Sequence, residues 1–147
     1  MGVLRPRDRY AIRLMRRNGT LANIEGHRLN HEKGMILLSC GDGDQFPDLF
    51  THKLGIQALH RQTPRIHLLT RHGGALRLLP RSPLNRAGST MAEDLLEEIG
   101  EAVSLKGIDT LALCSHVPCG KAGKYGLNTL AIIGALMDAK HLVKATY

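Results

Sequence analysis

Three short runs of mostly apolar residues predict the strands of the fold. They cover Met35–Cys40, Arg65–Thr70 and Asp109–Cys114, and each begins shortly after a glycine or a proline. The apolar character is continuous rather than alternating, which is typical of strands covered on both faces, as in parallel sheets. We therefore predict an α/β fold with a small central, mainly parallel sheet flanked by helices.

Apolar positions at helical spacing predict a helix between the second and third runs. Thr90 and Glu93 have the spacing of a capping box at its start, and Gly107 ends it. A helix between two parallel strands forms a βαβ unit, whose crossover is right-handed. A second helix is predicted over about Asn128–His141, and Leu142–Tyr147 is interpreted as the beginning of a further strand.

Polar and basic positions dominate the segments outside these elements. Arg5–Arg17 carries six arginines and predicts a short basic helix that ends near Asn18. Gly73–Gly88 contains prolines and arginines and is interpreted as an irregular surface loop. His27 and His31 have helical spacing but lie among glycines, so we interpret them as surface histidines.

The composition fits one domain, residues 1–147, with an aliphatic core, because aromatic residues make up only 3%. The formal charge of +7 favours anionic partners, but no aromatic run, zinc-finger spacing or helix-turn-helix motif supports nucleic-acid binding. Three cysteines do not suggest a disulfide framework and suit a reducing compartment. With no signal peptide or bilayer-length apolar segment visible, we expect a soluble cytoplasmic protein that binds neither nucleic acid nor membrane.

Good metal ligands follow two of the three predicted strands. Cys40 ends the first run, and His116 and Cys119 follow the third. Because the carboxyl ends of parallel strands meet at one edge of a sheet, we expect these side chains to approach one another. Two thiolates and an imidazole suit zinc, with a fourth position left to water or a carboxylate. Cys114 lies within the third run and is interpreted as a core residue.

The spacing of these residues resembles the β-class carbonic anhydrases. The pattern Cys40-x-Asp42, followed much later by His116-x-x-Cys119-Gly120, is similar to the metal motifs of that family. The resemblance implies an α/β fold, usually dimeric, with zinc held by the two cysteines and the histidine. It also implies reversible hydration of carbon dioxide, in which zinc-bound hydroxide attacks the carbon.

The resemblance extends beyond the metal motifs. Thr70–Gly74 follows the second strand where the family has a glycine-containing loop, and Met15–Gly26 resembles its N-terminal helical arm, which we place within residues 1–30. It therefore covers most of the chain from about Met15 to Gly126.

One position departs from the family motif Cys-x-Asp-x-Arg, because Asp44 stands in place of the arginine. In the family that arginine binds the aspartate and keeps its carboxylate off the metal. Our hypothesis is that Asp42, otherwise a catalytic residue, becomes the fourth zinc ligand and closes the site. Arg71 is a candidate replacement for the arginine, although we favour a role for it at loop carbonyls or in solvent.

Two classes of function therefore remain open. The first is a zinc lyase acting on carbon dioxide, or a related hydrolase of an analogue such as carbonyl sulfide or carbon disulfide. The second is a non-catalytic relative with a closed structural zinc site and a partner-binding role. Gly120–Lys124 lacks the spacing of a phosphate loop, but its amides and lysines are candidates for holding an anion such as bicarbonate beside the zinc.

Overall fold

A computed structural model of the chain describes residues 4–23, 33–59 and 64–147. The strands β1 (Met35–Ser39), β2 (Ile66–Thr70) and β3 (Leu111–Leu113) form a sheet in the order β2-β1-β3. Both pairings are parallel, and Leu38 of β1 lies opposite a residue of each neighbouring strand. The predicted α/β fold with a small parallel sheet is confirmed. The third strand is shorter than its apolar run.

Helices account for most of the remaining described residues. They are α1 (Pro6–Arg17), α2 (Phe46–Ala58), α3 (Met91–Lys106), α4 (Gly120–Lys124) and α5 (Thr129–Thr146). α2 and α4 were not predicted. In α2 the apolar residues are spread around the helix, and Gly55 breaks the apolar pattern. The sequence therefore shows no single apolar stripe that would predict this helix. α4 has only five residues, too few to show a period.

α3 occupies the position predicted for the helix between the second and third strands. It ends at Gly107, whose φ of +63° is the left-handed conformation typical of a helix C-terminus. The predicted capping box is wrong, because the Thr90 side chain caps no backbone amide and instead donates to Asp94 Oδ2 at 2.9 Å. Ser89 Oγ accepts from the Met91 amide at 3.2 Å and satisfies one free N–H of the first turn.

α5 continues beyond the end predicted for it. The proposed strand over Leu142–Tyr147 is wrong, because the helix runs to Thr146. Val143 lies four residues after the buried Ala139 and packs against the same core cluster, so the helical face continues without a break. Asn128 Oδ1 accepts from the Ala131 amide at 2.9 Å and caps the start of the helix.

The Pro- and Arg-rich segment Gly73–Gly88 is not the surface loop that was predicted. It contains a 3₁₀ helix, Gly74–Leu78, and its leucines Leu76, Leu78 and Leu84 are almost completely buried. These leucines lie among prolines and arginines and recur at no helical or strand period, so the sequence did not predict that they are buried. The segment packs against α3 and α5 and forms part of the core.

Two apolar clusters hold the sheet in place. The larger joins β1 to α3 and includes Ile36, Leu38, Leu95 and Ile99, all 1% exposed or less. The smaller lies at the carboxyl end of the sheet. Its buried members are Cys40, Leu76, Leu84, Cys119, Ala122 and Ile132. Two of the predicted zinc ligands therefore sit within an apolar shell.

The basic helix predicted at the N-terminus is α1, and it ends before Asn18 as expected. None of its residues is buried, and it contacts α5. The later part of the predicted arm, together with His27 and His31, lies outside the described residues. Among the helices the structure describes, none combines the length and apolar character needed to cross a membrane.

Candidate metal centre

Cys40, His116 and Cys119 meet at the carboxyl end of the sheet. Cys40 directly follows β1, His116 lies in the loop after β3, and Cys119 is the residue before α4. One donor atom from each lies within 4.8 Å of the other two. The cysteines are 6% and 4% exposed, and the histidine side chain is 18% exposed. The three predicted ligands thus form a compact group that can hold a metal ion.

The hydrogen bond of His116 determines which ring nitrogen faces the cysteines. Nδ1 lies 2.8 Å from the Pro118 carbonyl oxygen. A carbonyl only accepts, so Nδ1 carries the proton and Nε2 presents a lone pair. Nε2 is buried and has no hydrogen-bond partner among the described residues. An imidazole whose N–H is anchored on a carbonyl, with its other nitrogen bare, has the arrangement of a metal ligand.

The two thiols titrate as a coupled pair. Interaction with the Cys40 thiol lowers the pKa of Cys119 to about 6 against the opposing effect of burial. The amides of Lys121 and Ala122 lower it further. Interaction with the Cys119 sulfur, together with burial, raises the pKa of Cys40 to about 12. The pair therefore carries one negative charge near neutral pH, and a cation is needed to stabilise the second thiolate.

The start of the 3₁₀ helix packs closely against the ends of β1 and β3, which brings the Gly73 amide to the Cys40 thiol. Gly73 N donates to Cys40 Sγ at 3.3 Å. Gly74 has a φ of +54°, and a Cβ added there would lie 2.6 Å from the Cys40 amide nitrogen and 2.8 Å from the Cys114 carbonyl oxygen. Only glycine allows the backbone to approach both strand ends so closely. Sequence reasoning missed this contact, although the Gly73-Gly74 pair after β2 was its signal.

Asp42 lies beside the group but outside its compact set of donors. Its Oδ2 is 3.6 Å from His116 Nε2, and its Oδ1 accepts from the Asp44 amide at 2.9 Å. Oδ2 and the deprotonated Nε2 are both acceptors, so a cation between them is favourable. Nitrogen and oxygen ligands of one tetrahedral zinc lie about 3.3 Å apart. Asp42 is near that spacing from the imidazole, but it is not within 4.8 Å of all three donors.

Arg71 does not contact Asp42. Its Nη1 donates to the Thr70 carbonyl at 2.8 Å, and its Nη2 to Glu98 Oε1 at 3.2 Å. These contacts agree with the favoured role at a loop carbonyl and direct the guanidinium towards α3. Within the part of the chain that the structure describes, no arginine pairs with the Asp42 carboxylate.

Two neighbouring features were assigned from the sequence. Cys114 is half-buried and lies outside the compact group, and burial raises its pKa. In the Gly120–Lys124 segment, the amides of Lys121 and Ala122 interact with the sulfur of Cys119. The Lys121 ammonium lies 4.9 Å from the centre of the Tyr125 ring. These amides therefore support the sulfur rather than a separate anion.

Two cavities adjoin the centre. One of about 410 Å³ is lined by Asp42, Asp44 and Cys119. The other, of about 360 Å³, is lined by Cys40 and His116. Its apolar walls come from Phe46, Leu49, Leu113 and Leu136. A small molecule therefore has space beside the three donors, both near the carboxylates and against apolar walls.

Comparison of the chain with protein-family models, with curated proteins and with solved structures finds no match in any of the three. The resemblance to β-class carbonic anhydrases therefore depends on the motif residues alone.

Proposed function

We propose that this chain binds one zinc ion through Cys40, His116 and Cys119. The observation that carries the proposal is the buried, unpartnered Nε2 of His116, which lies in one compact group with the sulfurs of Cys40 and Cys119. An unsatisfied buried nitrogen costs about 1–3 kcal/mol, and a metal ion removes that cost. Two sulfurs and one imidazole nitrogen favour zinc over the hard cations, which prefer oxygen ligands.

We further propose that the activity is the hydration of carbon dioxide to bicarbonate and a proton, and its reverse. Bound zinc supplies a Lewis acid that makes water nucleophilic near neutral pH. Asp42 is held through Oδ1 by the Asp44 amide, and its Oδ2, 3.6 Å from His116 Nε2, would orient the attacking water by accepting its hydrogen bond. The apolar cavity beside Cys40 and His116 accepts the uncharged substrate. The similarity of the motif residues to β-class carbonic anhydrases supports this choice of reaction.

A stopped-flow hydration assay with a pH indicator tests this proposal on the zinc-loaded protein. We expect a saturable rate above that of buffer, which His116→Ala removes together with the zinc. Cys114→Ser is the matched control, since that cysteine adjoins the centre but lies outside the donor group. The control is expected to keep both zinc and activity. A protein with one zinc per chain and no rate above buffer would refute the activity while leaving the zinc site intact.

The second candidate is a closed structural zinc with Asp42 as the fourth ligand. It is favoured by the 3.6 Å spacing between Asp42 Oδ2 and His116 Nε2, and by the absence of an arginine at residue 44. A closed tetrahedron leaves no position for the reacting water. Activity that appears only in Asp44→Arg supports this candidate, because a cation there draws the carboxylate off the metal. Activity in the unaltered chain contradicts it.

A further inference from the structure

A third cavity, of about 340 Å³, lies between the start of α1, the loop that carries Cys119, and the start of α5. Arg5, which precedes α1, and Arg7 and Asp8 of its first turn line the cavity on one side. Asn128 and Thr129 line it from α5. The cavity shares Pro118, Cys119 and Gly123 with the one beside Asp42, but the metal chemistry proposed above does not use the side formed by α1 and α5.

Charge makes one side of this cavity suitable for an anion. Arg5 and Arg7 are exposed, and neither pairs with a carboxylate of the described residues. Asp8 opposes them, so the three side chains together carry one positive charge. A local charge of +1 favours a singly charged ligand over a highly charged one.

The opposite side is the start of an 18-residue helix. The Ala131 amide donates to the Asn128 side chain, and the first intrahelical hydrogen bond runs from the Ile132 amide to the Asn128 carbonyl. The amides before Ala131 therefore have no partner within the helix. The positive end of the helix dipole favours an anion at this position.

Thr129 provides an independent indication of a ligand. Its side chain is polar, the residue is only 6% exposed, and it lines this cavity. Its hydroxyl forms no hydrogen bond with any described residue. The Thr129 oxygen is not fully enclosed by protein atoms, so the hydroxyl can donate to an oxyanion in the cavity.

The size of the cavity and its other walls indicate what carries the anion. A volume of 340 Å³ exceeds that of a lone phosphate or carboxylate, and Leu4, Leu127 and Ile132 supply apolar surface. We propose that this cavity binds a small organic oxyanion, a carboxylate or a phosphate, between Arg5 and Arg7 at the start of α1 and Thr129 of α5. The organic part contacts the leucines and the isoleucine. Because Cys119 forms part of the wall, the ligand lies next to the metal centre.

Calorimetric titration of the zinc-loaded chain at low salt tests this proposal and does not depend on carbon dioxide hydration, so either can fail alone. The probes are phenyl phosphate and benzoate, and the tighter of the two identifies the preferred headgroup. Arg7→Ala is expected to weaken binding about threefold to fivefold, as for an exposed ion pair. Thr129→Val is expected to weaken it about fivefold, whereas Thr129→Ser keeps the hydroxyl and the affinity.

Arg16→Ala is the matched control, because it removes the same charge from the same helix outside the cavity. It is expected to leave the affinity unchanged apart from a small long-range effect. Equal weakening by Arg7→Ala and Arg16→Ala would overturn the proposal in favour of non-specific attraction. Failure of both probes to bind at about 10 mM would also overturn it.

Because no residue of α1 is buried, a ligand that bridges α1 and α5 is expected to order the helix. Amide hydrogen exchange in α1 should slow when the probe binds, and an unchanged rate would contradict the bridging geometry.

Discussion

A Gly74→Ala substitution tests the packing that builds the metal centre. The added Cβ would lie 2.6 Å from the Cys40 amide nitrogen, 2.8 Å from the Cys114 carbonyl oxygen and 2.9 Å from the Ser39 carbonyl carbon. All three are backbone atoms at the ends of β1 and β3. They cannot move aside as the end of a flexible side chain can, so the 3₁₀ helix must shift away from the sheet.

Two costs add in this variant. An L-residue in the left-handed region costs roughly 1–2 kcal/mol, and forced overpacking costs a further 1–3 kcal/mol, roughly. Gly74→Ala should therefore destabilise the protein by about 2–5 kcal/mol. Gly88→Ala is the matched control, because its φ is +72° but nothing lies within 4 Å of the added Cβ. It should show only the conformational cost, about 1–2 kcal/mol.

The shift also changes the metal site, since Gly73 N donates to Cys40 Sγ from the same turn. Losing a hydrogen bond to a charged group costs about 1.5–3 kcal/mol, so zinc affinity should fall about tenfold or more in Gly74→Ala. Urea unfolding at one fixed zinc concentration measures stability, and competition with a chromogenic chelator measures affinity. Equal unfolding midpoints and equal zinc affinities for the two variants would refute the packing argument.

Three further predictions follow from the site and its surroundings. Near pH 7.5 the thiol pair retains about one proton, because the pKa of Cys119 is about 6 and that of Cys40 about 12. Zinc binding should therefore release about one proton, and the calorimetric enthalpy should depend on the ionisation enthalpy of the buffer. The logarithm of the zinc affinity should rise by about one per pH unit between about pH 7 and 9, where one thiol loses its proton on binding. Below about pH 6 it should rise more steeply, because both thiols then lose a proton. A buffer-independent enthalpy would contradict this. Leu38→Ala, fully buried in the central strand, should cost about 2–5 kcal/mol in urea unfolding, whereas Leu105→Ala, 76% exposed, should cost far less; equal costs would argue against the assigned core. Arg71→Ala should cost under about 1 kcal/mol, since its ion pair is 38% exposed on each side, and should leave zinc affinity unchanged; a clear loss of affinity would mean that it acts on Asp42.

The sheet and the three metal donors were predictable from the sequence for a shared physical reason. β1 is the central strand and is buried along its whole length, so it had to be apolar at consecutive positions. Its neighbours are parallel to it, which brings Cys40 to the same edge as His116 and Cys119. The parallel topology therefore brings the Cys40 motif and the His116–Cys119 motif, which are distant in sequence, into one group.

The segment between β2 and α3 was not predictable by the same reasoning. Its structure depends on Gly74 approaching two strand ends and on Leu76 and Leu84 filling the space around the cysteines. These contacts are long-range and follow no period, and the prolines and arginines between them are typical of surface loops. The helix α5 was predicted, but its end was placed too early. Val143 suits a strand by composition, but it continues the face of α5 and stays helical through packing.

The environment of Asp42 changes the meaning of the substitution at residue 44. The resemblance of the motif to β-class carbonic anhydrases implied that Asp44 removes the anchor of the Asp42 carboxylate, yet the Asp44 amide donates to Oδ1 at 2.9 Å. This anchor belongs to the backbone, so any residue except proline that keeps the turn at position 44 retains it. An arginine would add a charged, two-pronged contact that is roughly twice as strong as a neutral one. An aspartate at residue 44 therefore leaves Asp42 less firmly held than an arginine would, while its Oδ2 lies 3.6 Å from His116 Nε2.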